Sequence, residues 1–168
     1  CELNTNSNNK TIIFNFIGAI NFIKKDLVKA EKNFLDAIKI DDKFQDPIRN
    51  LCVIYTNTKK FDKLLNFSIK LYKLDNSNPL NIFQIGSANE LNKNYDDAIK
   101  YYEEFINTNG SDKKRGFNNI GNIYLKKSKP KISIKYFSKA LEIDKNNKIL
   151  INNVLLCYLS LRDEEKAD

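Results

Sequence analysis

One arrangement of small and large side chains recurs along this chain about every 34 residues, and it constrains the fold more than any other feature. The run FNNIGNIYLKKSKPKISIKYFSKALEIDKNN, from Phe117 to Asn147, sets Gly121, Tyr124, Phe137 and Ala140 ahead of a closing stretch ALEID. One period earlier, Gly86, Tyr95, Ala98 and Tyr102 stand at corresponding places. A second step back gives Cys52, Tyr55, Phe61 and Leu71, and a third gives Gly18, Leu27, Ala30, Phe34 and Ala37. A period of this length marks stacked supersecondary units, none of which can bury its own apolar face alone. Each period holds two helical stretches, so the expectation is an all-α chain of helix–turn–helix units sharing one core.

These residues resemble the tetratricopeptide-repeat (TPR) family, and the resemblance runs from about Thr11 to the end of the chain. It implies a TPR α-solenoid, a right-handed superhelix of antiparallel helix pairs, with four full repeats and a partial fifth. The repeats fall at 11–44, 45–78, 79–112 and 114–147, with Lys113 as a one-residue insertion; 148–168 supplies a helix A and the beginning of a helix B. Residues 11–168 thus form the repeat domain, and 1–10 are expected to be a flexible tether. The family's small eighth position is Gly18, Cys52, Gly86, Gly121 and then Leu155; its small twentieth is Ala30, Leu64, Ala98, Ser133 and Ala167. The aromatic twenty-fourth is Phe34, Ser68, Tyr102 and Phe137. Small residues belong where helices A and B of one unit approach, and aromatics fill the gap against the next unit. The second repeat departs most, with Leu64 and Ser68, and the family's late proline is replaced by Asp42, Asn76, Gly110 and Lys145. Asn78-Pro79 and Asp46-Pro47 both read as an N-cap followed by a proline at the first helical position.

The chain has no His, which removes the usual general base and the commonest metal ligand. Serine–histidine or cysteine–histidine catalysis is closed to it, and so is a His-containing zinc site. The expectation is therefore a non-enzyme with no catalytic residues, no metal and no cofactor. A net charge of +7 favours acidic partners or anionic surfaces, and equally describes a Lys-rich solvated exterior. Lys24, Lys25, Lys59, Lys60, Lys93, Lys126, Lys127 and Lys129 fall in the turns between helices A and B, where they would form a basic ridge. No basic platform interleaved with aromatics accompanies them, so nucleic acid is not an expected partner. No run of around twenty apolar residues spans a membrane.

Cys1 heads the polar stretch ELNTNSNNK. This looks like the mature end of a processed bacterial lipoprotein, with Cys1 as the site of lipid attachment; an arbitrary cut falling on a cysteine gives the same start. The first reading implies a lipid-anchored protein of the bacterial cell envelope, on the periplasmic or outer-membrane face; the second leaves a cytoplasmic adaptor open. Abundant Asn, Lys, Ile, Phe and Tyr match AT-rich codons, as in a spirochaete genome. Cys52 and Cys157 lie about three repeats apart, too far for a disulfide, and read as small core residues.

In TPR stacks the A helices line the concave groove. The resemblance therefore puts position 6 of each repeat there, which reads Phe16, Asn50, Gln84, Asn119 and Asn153. Four consecutive carboxamides resemble the asparagine ladder by which some TPR proteins hold an extended peptide. An amide can donate to a peptide carbonyl and accept from its N–H, whatever the side chains. Asn118 and Asn122 adjoin the row, and Arg49 and Arg115 would meet acidic groups. Roughly one residue in seven is Asn, well above ordinary usage, so such a row also arises without a binding role. The family's carboxylate clamp fits poorly, because Val53 and Asn119 replace polar and basic contacts. At the N-terminal end Ile12, Phe16, Phe22 and Ile23 form an apolar mouth, either a patch for a partner or a surface covered by the tether or a second copy. The expected function is a protein-interaction scaffold gripping a partner protein or extended peptide. The alternative is a structural subunit that forms a homo-oligomer through its exposed ends.

Overall fold

The computed structural model describes the backbone of residues 2–164 and the side chains of residues 9–162. Among the described residues the chain forms nine α-helices and no strand: α1 (Glu2–Ile23), α2 (Leu27–Ile40), α3 (Gln45–Asn57), α4 (Phe61–Leu74), α5 (Pro79–Leu91), α6 (Tyr95–Asn107), α7 (Lys113–Lys126), α8 (Pro130–Ile143) and α9 (Lys148–Glu164). None is long and apolar enough to cross a membrane. The odd-numbered helices are the A helices and the even-numbered ones the B helices of the expected repeats. They gather into two compact units, one through Asn76 holding α1–α4 and one from Ser77 holding α5–α9.

Four A–B turns share one geometry. Lys25, Lys59, Lys93 and Ser128 adopt φ values of 63°, 56°, 63° and 53°, the left-handed conformation that ends a helix. The residue after each donates its N–H back five residues to the carbonyl of Asn21, Tyr55, Asn89 or Tyr124, at 2.9 Å each time. This six-to-one bond is the Schellman closure, and it satisfies a carbonyl that the helix end leaves without an internal partner. Asp26 then caps α2 by accepting from the Lys29 N–H at 3.1 Å, and Asn78 caps α5 by accepting from Leu80 N–H at 2.9 Å.

Packing follows the small–large pairing read from the sequence. A methyl group added at Gly18 would lie 2.6 Å from the Phe34 ring, at Gly86 2.9 Å from Tyr102, and at Gly121 2.6 Å from Phe137. Helices A and B can close to this spacing only because position 8 has no side chain there. Ser133, at position 20, adds a bond by donating to the Gly121 carbonyl at 2.6 Å. The second repeat reverses the sizes. Cys52 occupies the small position and Ser68 the aromatic one, and their Sγ and Oγ atoms lie 3.9 Å apart, both buried. Burial pushes the Cys52 thiol up to about 11, so it is an inert core group.

Three expectations are corrected. Residues 2–10, expected as a flexible tether, continue α1 as helix. The segment has no Gly or Pro, and extending an existing helix is far easier than starting one. Asp46 does not cap α3: the cap is Phe44, and Pro47 lies buried in the first turn. There its missing N–H is one that the helix would leave unbonded anyway. Finally, α9 runs unbroken to Glu164, past Arg162, which aligns with the left-handed turn residues of the other repeats. No turn therefore opens a fifth helix B among the described residues. Ala167, expected at its small position, lies outside them, as does Cys1.

Candidate functional site

In the second unit the A helices α5, α7 and α9 carry the expected groove residues, and Gln84, Asn118, Asn119, Asn122 and Asn153 are all half-buried. Two of these amides are bonded to each other. Asn153 Nδ2 donates to Asn118 Oδ1 at 3.2 Å, joining α9 to α7. In the first unit Asn50 Nδ2 donates to Asn15 Oδ1 at 3.1 Å, joining α3 to α1. Both bonds run from position 6 of one repeat to position 5 of the repeat before, 35 residues away. Each consumes one of two amide donors and one oxygen lone pair, leaving capacity on both side chains.

Asn119 lies beside the Tyr102 hydroxyl on α6. That hydroxyl donates to Glu90 Oε2 at 2.9 Å, and Lys126 donates to Glu90 Oε1 at 2.7 Å. Burial and the Glu90 carboxylate drive the Tyr102 pKa strongly up, so it remains a neutral donor. The first unit has the same motif: Tyr55 donates to Glu31 Oε1 at 2.9 Å, and Lys63 donates to the same oxygen at 3.0 Å.

Arg115 is exposed at the start of α7, and its guanidinium carbon sits 3.8 Å from the centre of the Phe83 ring on α5. This cation–π contact holds the guanidinium over the ring. Beside it, Asp112, Lys114, Arg115, Asn118, Asn147, Ile149 and Leu150 line a small cleft of about 190 Å³. Lys114 there is paired with Asp144 at 2.9 Å, which leaves Arg115 as the cation of the cleft able to meet an incoming anion. In the first unit Arg49 donates to Gln45 Oε1 at 2.7 Å, and Val53 stands 47% exposed where a polar contact would be needed.

The carboxamides and Arg115 lie on the A helices, but sequence reading misses Phe83 under Arg115 and Tyr102 beside Asn119. The signal was present for Tyr102. It is a tyrosine at the aromatic position where Phe34 and Phe137 stand, and a buried hydroxyl needs a partner. Of the apolar mouth, Ile12, Phe16 and Ile23 are exposed, whereas Phe22 is half-buried beside Leu27 and Asn57. The turn lysines are partly neutralised: Lys60 pairs with Glu31, Lys126 with Glu90, and Lys127 with Asp96 at 2.6 Å.

The tetratricopeptide-repeat family profile matches residues 81–112 and 115–147, the third and fourth repeats. The chain is a tetratricopeptide-repeat protein. Its TPR fold is similar to the crystal structure of MamA protein, with a TM-score of 0.82 and 21% identity, over 94% of this chain and 86% of that one. It is also similar to pilF of Pseudomonas aeruginosa, at a TM-score of 0.72 and 18% identity, over 94% of this chain and 72% of that one. A third is a chain of the APC/C hetero-tetramer Cut9–Hcn1, at 0.71 and 16% identity, over 88% of this chain and 30% of that one. At these identities the likeness is one of fold. No curated protein sequence matches the chain.

Proposed function

We propose that this TPR protein is a scaffold that holds an extended segment of a partner protein along α5, α7 and α9, gripping its main chain through carboxamides. The observation that carries the reading is the anchoring of Asn153 on Asn118 at 3.2 Å, with Asn119 beside the Tyr102 hydroxyl. An amide fixed by one bond has already lost rotamer freedom, so gripping a peptide with its remaining donor and lone pairs costs less entropy. Repeated along a groove, such amides match the alternating C=O and N–H of an extended chain and read little of its sequence. Arg115, held over Phe83, adds preference for a carboxylate on the bound segment. The Cut9–Hcn1 structure is an assembly of two different proteins, which fits a fold that holds partners.

The test begins with peptides selected on the chain from a random library. Their affinities should fall about tenfold, ~1.4 kcal/mol, for each of Asn119→Ala and Asn153→Ala. Arg115→Ala should weaken acidic peptides and spare neutral ones. Selected peptides that bind all three variants as tightly as the parent would refute the groove reading.

A further inference from the structure

Within each unit, positions 3, 7 and 10 of the repeat mark the face on which α3, α7 and α9 meet the preceding helix pair. On α3 positions 7 and 10 are Leu51 and Ile54, 0% and 1% exposed; on α7 they are Ile120 and Ile123, both 0% exposed. On α9 positions 3 and 10 are Leu150 and Cys157, 2% and 0% exposed. Gly116, position 3 of α7, lies so close to α6 that an added methyl group would stand 2.5 Å from Ile106. On α1 the same three positions are Ile13, Ile17 and Ile20, and they are 54%, 40% and 51% exposed. The first helix thus carries the side chains of a stacked helix without a helix over them. Ile12, Phe16 and Ile23 widen the same face, at 44%, 63% and 79% exposed.

We propose that this face of α1 pairs with α1 of a second copy of the chain, antiparallel about a two-fold axis near Ile17. Three observations favour a copy over other occupants. The six side chains expose on the order of 700 Å² of mostly apolar surface, above the ~300–600 Å² of the largest patch on a typical monomer and near the ~800 Å² per partner of a stable interface. No charged residue lies between Lys10 and Lys24, so two copies of a chain with net charge +7 can meet there without opposing lysines at the centre. The apolar stripe is also nearly symmetric about its middle: an antiparallel copy brings Ile13 to Ile20 of the other, and Ile12 to Ile23, each within one residue of level, with Lys10 and Lys24 opposed only at the rim. Such an isologous contact closes at two copies, whereas pairing α1 with the exposed Leu155 and Tyr158 face of α9 would propagate into a filament.

Analytical ultracentrifugation of the 168-residue chain, with Cys1→Ser to remove the terminal thiol, should show a reversible dimer at concentrations on the order of 10 µM. Ile17→Glu should weaken it at least about a hundredfold while circular dichroism and the thermal midpoint stay near the parent's, because Ile17 is already half in solvent. In the same background Ile17→Cys should form a disulfide with itself across the axis; the other two thiols, Cys52 and Cys157, are buried. A parent that stays monomeric, an Ile17→Glu variant that stays dimeric, or Ile17→Cys that crosslinks only to Leu155→Cys of a second copy would each overturn the proposal. Peptide binding by Ile17→Glu reports on the second unit's groove separately, so the two readings fail independently.

Discussion

Gly121 has space for a hydrogen and nothing larger on the side that faces Phe137. Both Gly121 and Phe137 are wholly buried, so the ring cannot swing aside into solvent. Gly121→Ala should therefore lower stability by about 1–3 kcal/mol through overpacking, read as a fall of several degrees in thermal midpoint by calorimetry. In the second repeat the same contact is solved with the sizes exchanged, Cys52 against Ser68. Ser68→Phe alone should cost at least as much as Gly121→Ala. Adding Cys52→Gly should recover most of the loss, a coupling on the order of 1–3 kcal/mol in a double-mutant cycle. Sequence reading takes Cys52 as an ordinary small residue and Ser68 as a departure, because their pairing is visible only once the two side chains are seen to touch. Glu31 supplies the pH-dependent contact. Burial alone would raise its carboxyl, but hydrogen bonds from Lys63 and Tyr55, with the charges of Lys63 and Lys60, hold it below the usual 4.5. A carboxyl depressed on folding stabilises above its unfolded pKa and loses that contribution as pH falls through the folded one. Glu31→Gln should therefore cost stability at pH 7, and the difference from the parent should vanish in urea titrations carried well below pH 4.5.

At the scale of elements, helix interiors and A–B turns were legible because packing writes itself into the sequence once per repeat. In three of the four full repeats a glycine at position 8 meets an aromatic at 24 where helices A and B close together: Gly18 with Phe34, Gly86 with Tyr102 and Gly121 with Phe137. The bounds of α1 and α9 were not legible: α1 reaches back to Glu2 and α9 runs on past Arg162. Asp46-Pro47 misled because proline is tolerated anywhere in the first helical turn, so the dipeptide fixes the boundary only to within a few residues. The carboxamide row was readable as a list of residue types, but the neighbours Tyr102 and Phe83 come from other elements, at separations no local pattern reports. Two outcomes follow for the elements. Lys93 holds φ 63° at a helix end where glycine is the residue without strain, so Lys93→Gly should stabilise by about 0.5–1 kcal/mol in urea unfolding. In α9, Ile149, Leu155, Leu156, Tyr158 and Leu159 remain exposed because the helix packs on one side only. Its amides should exchange with deuterium faster than those of α7 and α8, which are covered on more than one face.

For the whole molecule, charge and core divide the work. The buried residues form the repeat core, while lysines from the turns meet acids of the preceding repeat, as Lys60 meets Glu31 and Lys126 meets Glu90. Exposed pairs of this kind stabilise little, so the net charge of +7 acts mainly on what the protein attracts. Each unit carries its own bonded amide pair, Asn50 on Asn15 in one and Asn153 on Asn118 in the other. In the proposed mode the second unit's amides hold a main chain. Side-chain amide NMR of Asn118, Asn119, Asn122 and Asn153, followed during titration with a library-selected peptide, reads that contact at the atoms concerned. These signals should shift together and saturate at one affinity, and replacing the peptide's side chains other than its carboxylates by alanine should change that affinity little. Signals that stay in place while the peptide binds elsewhere would contradict it.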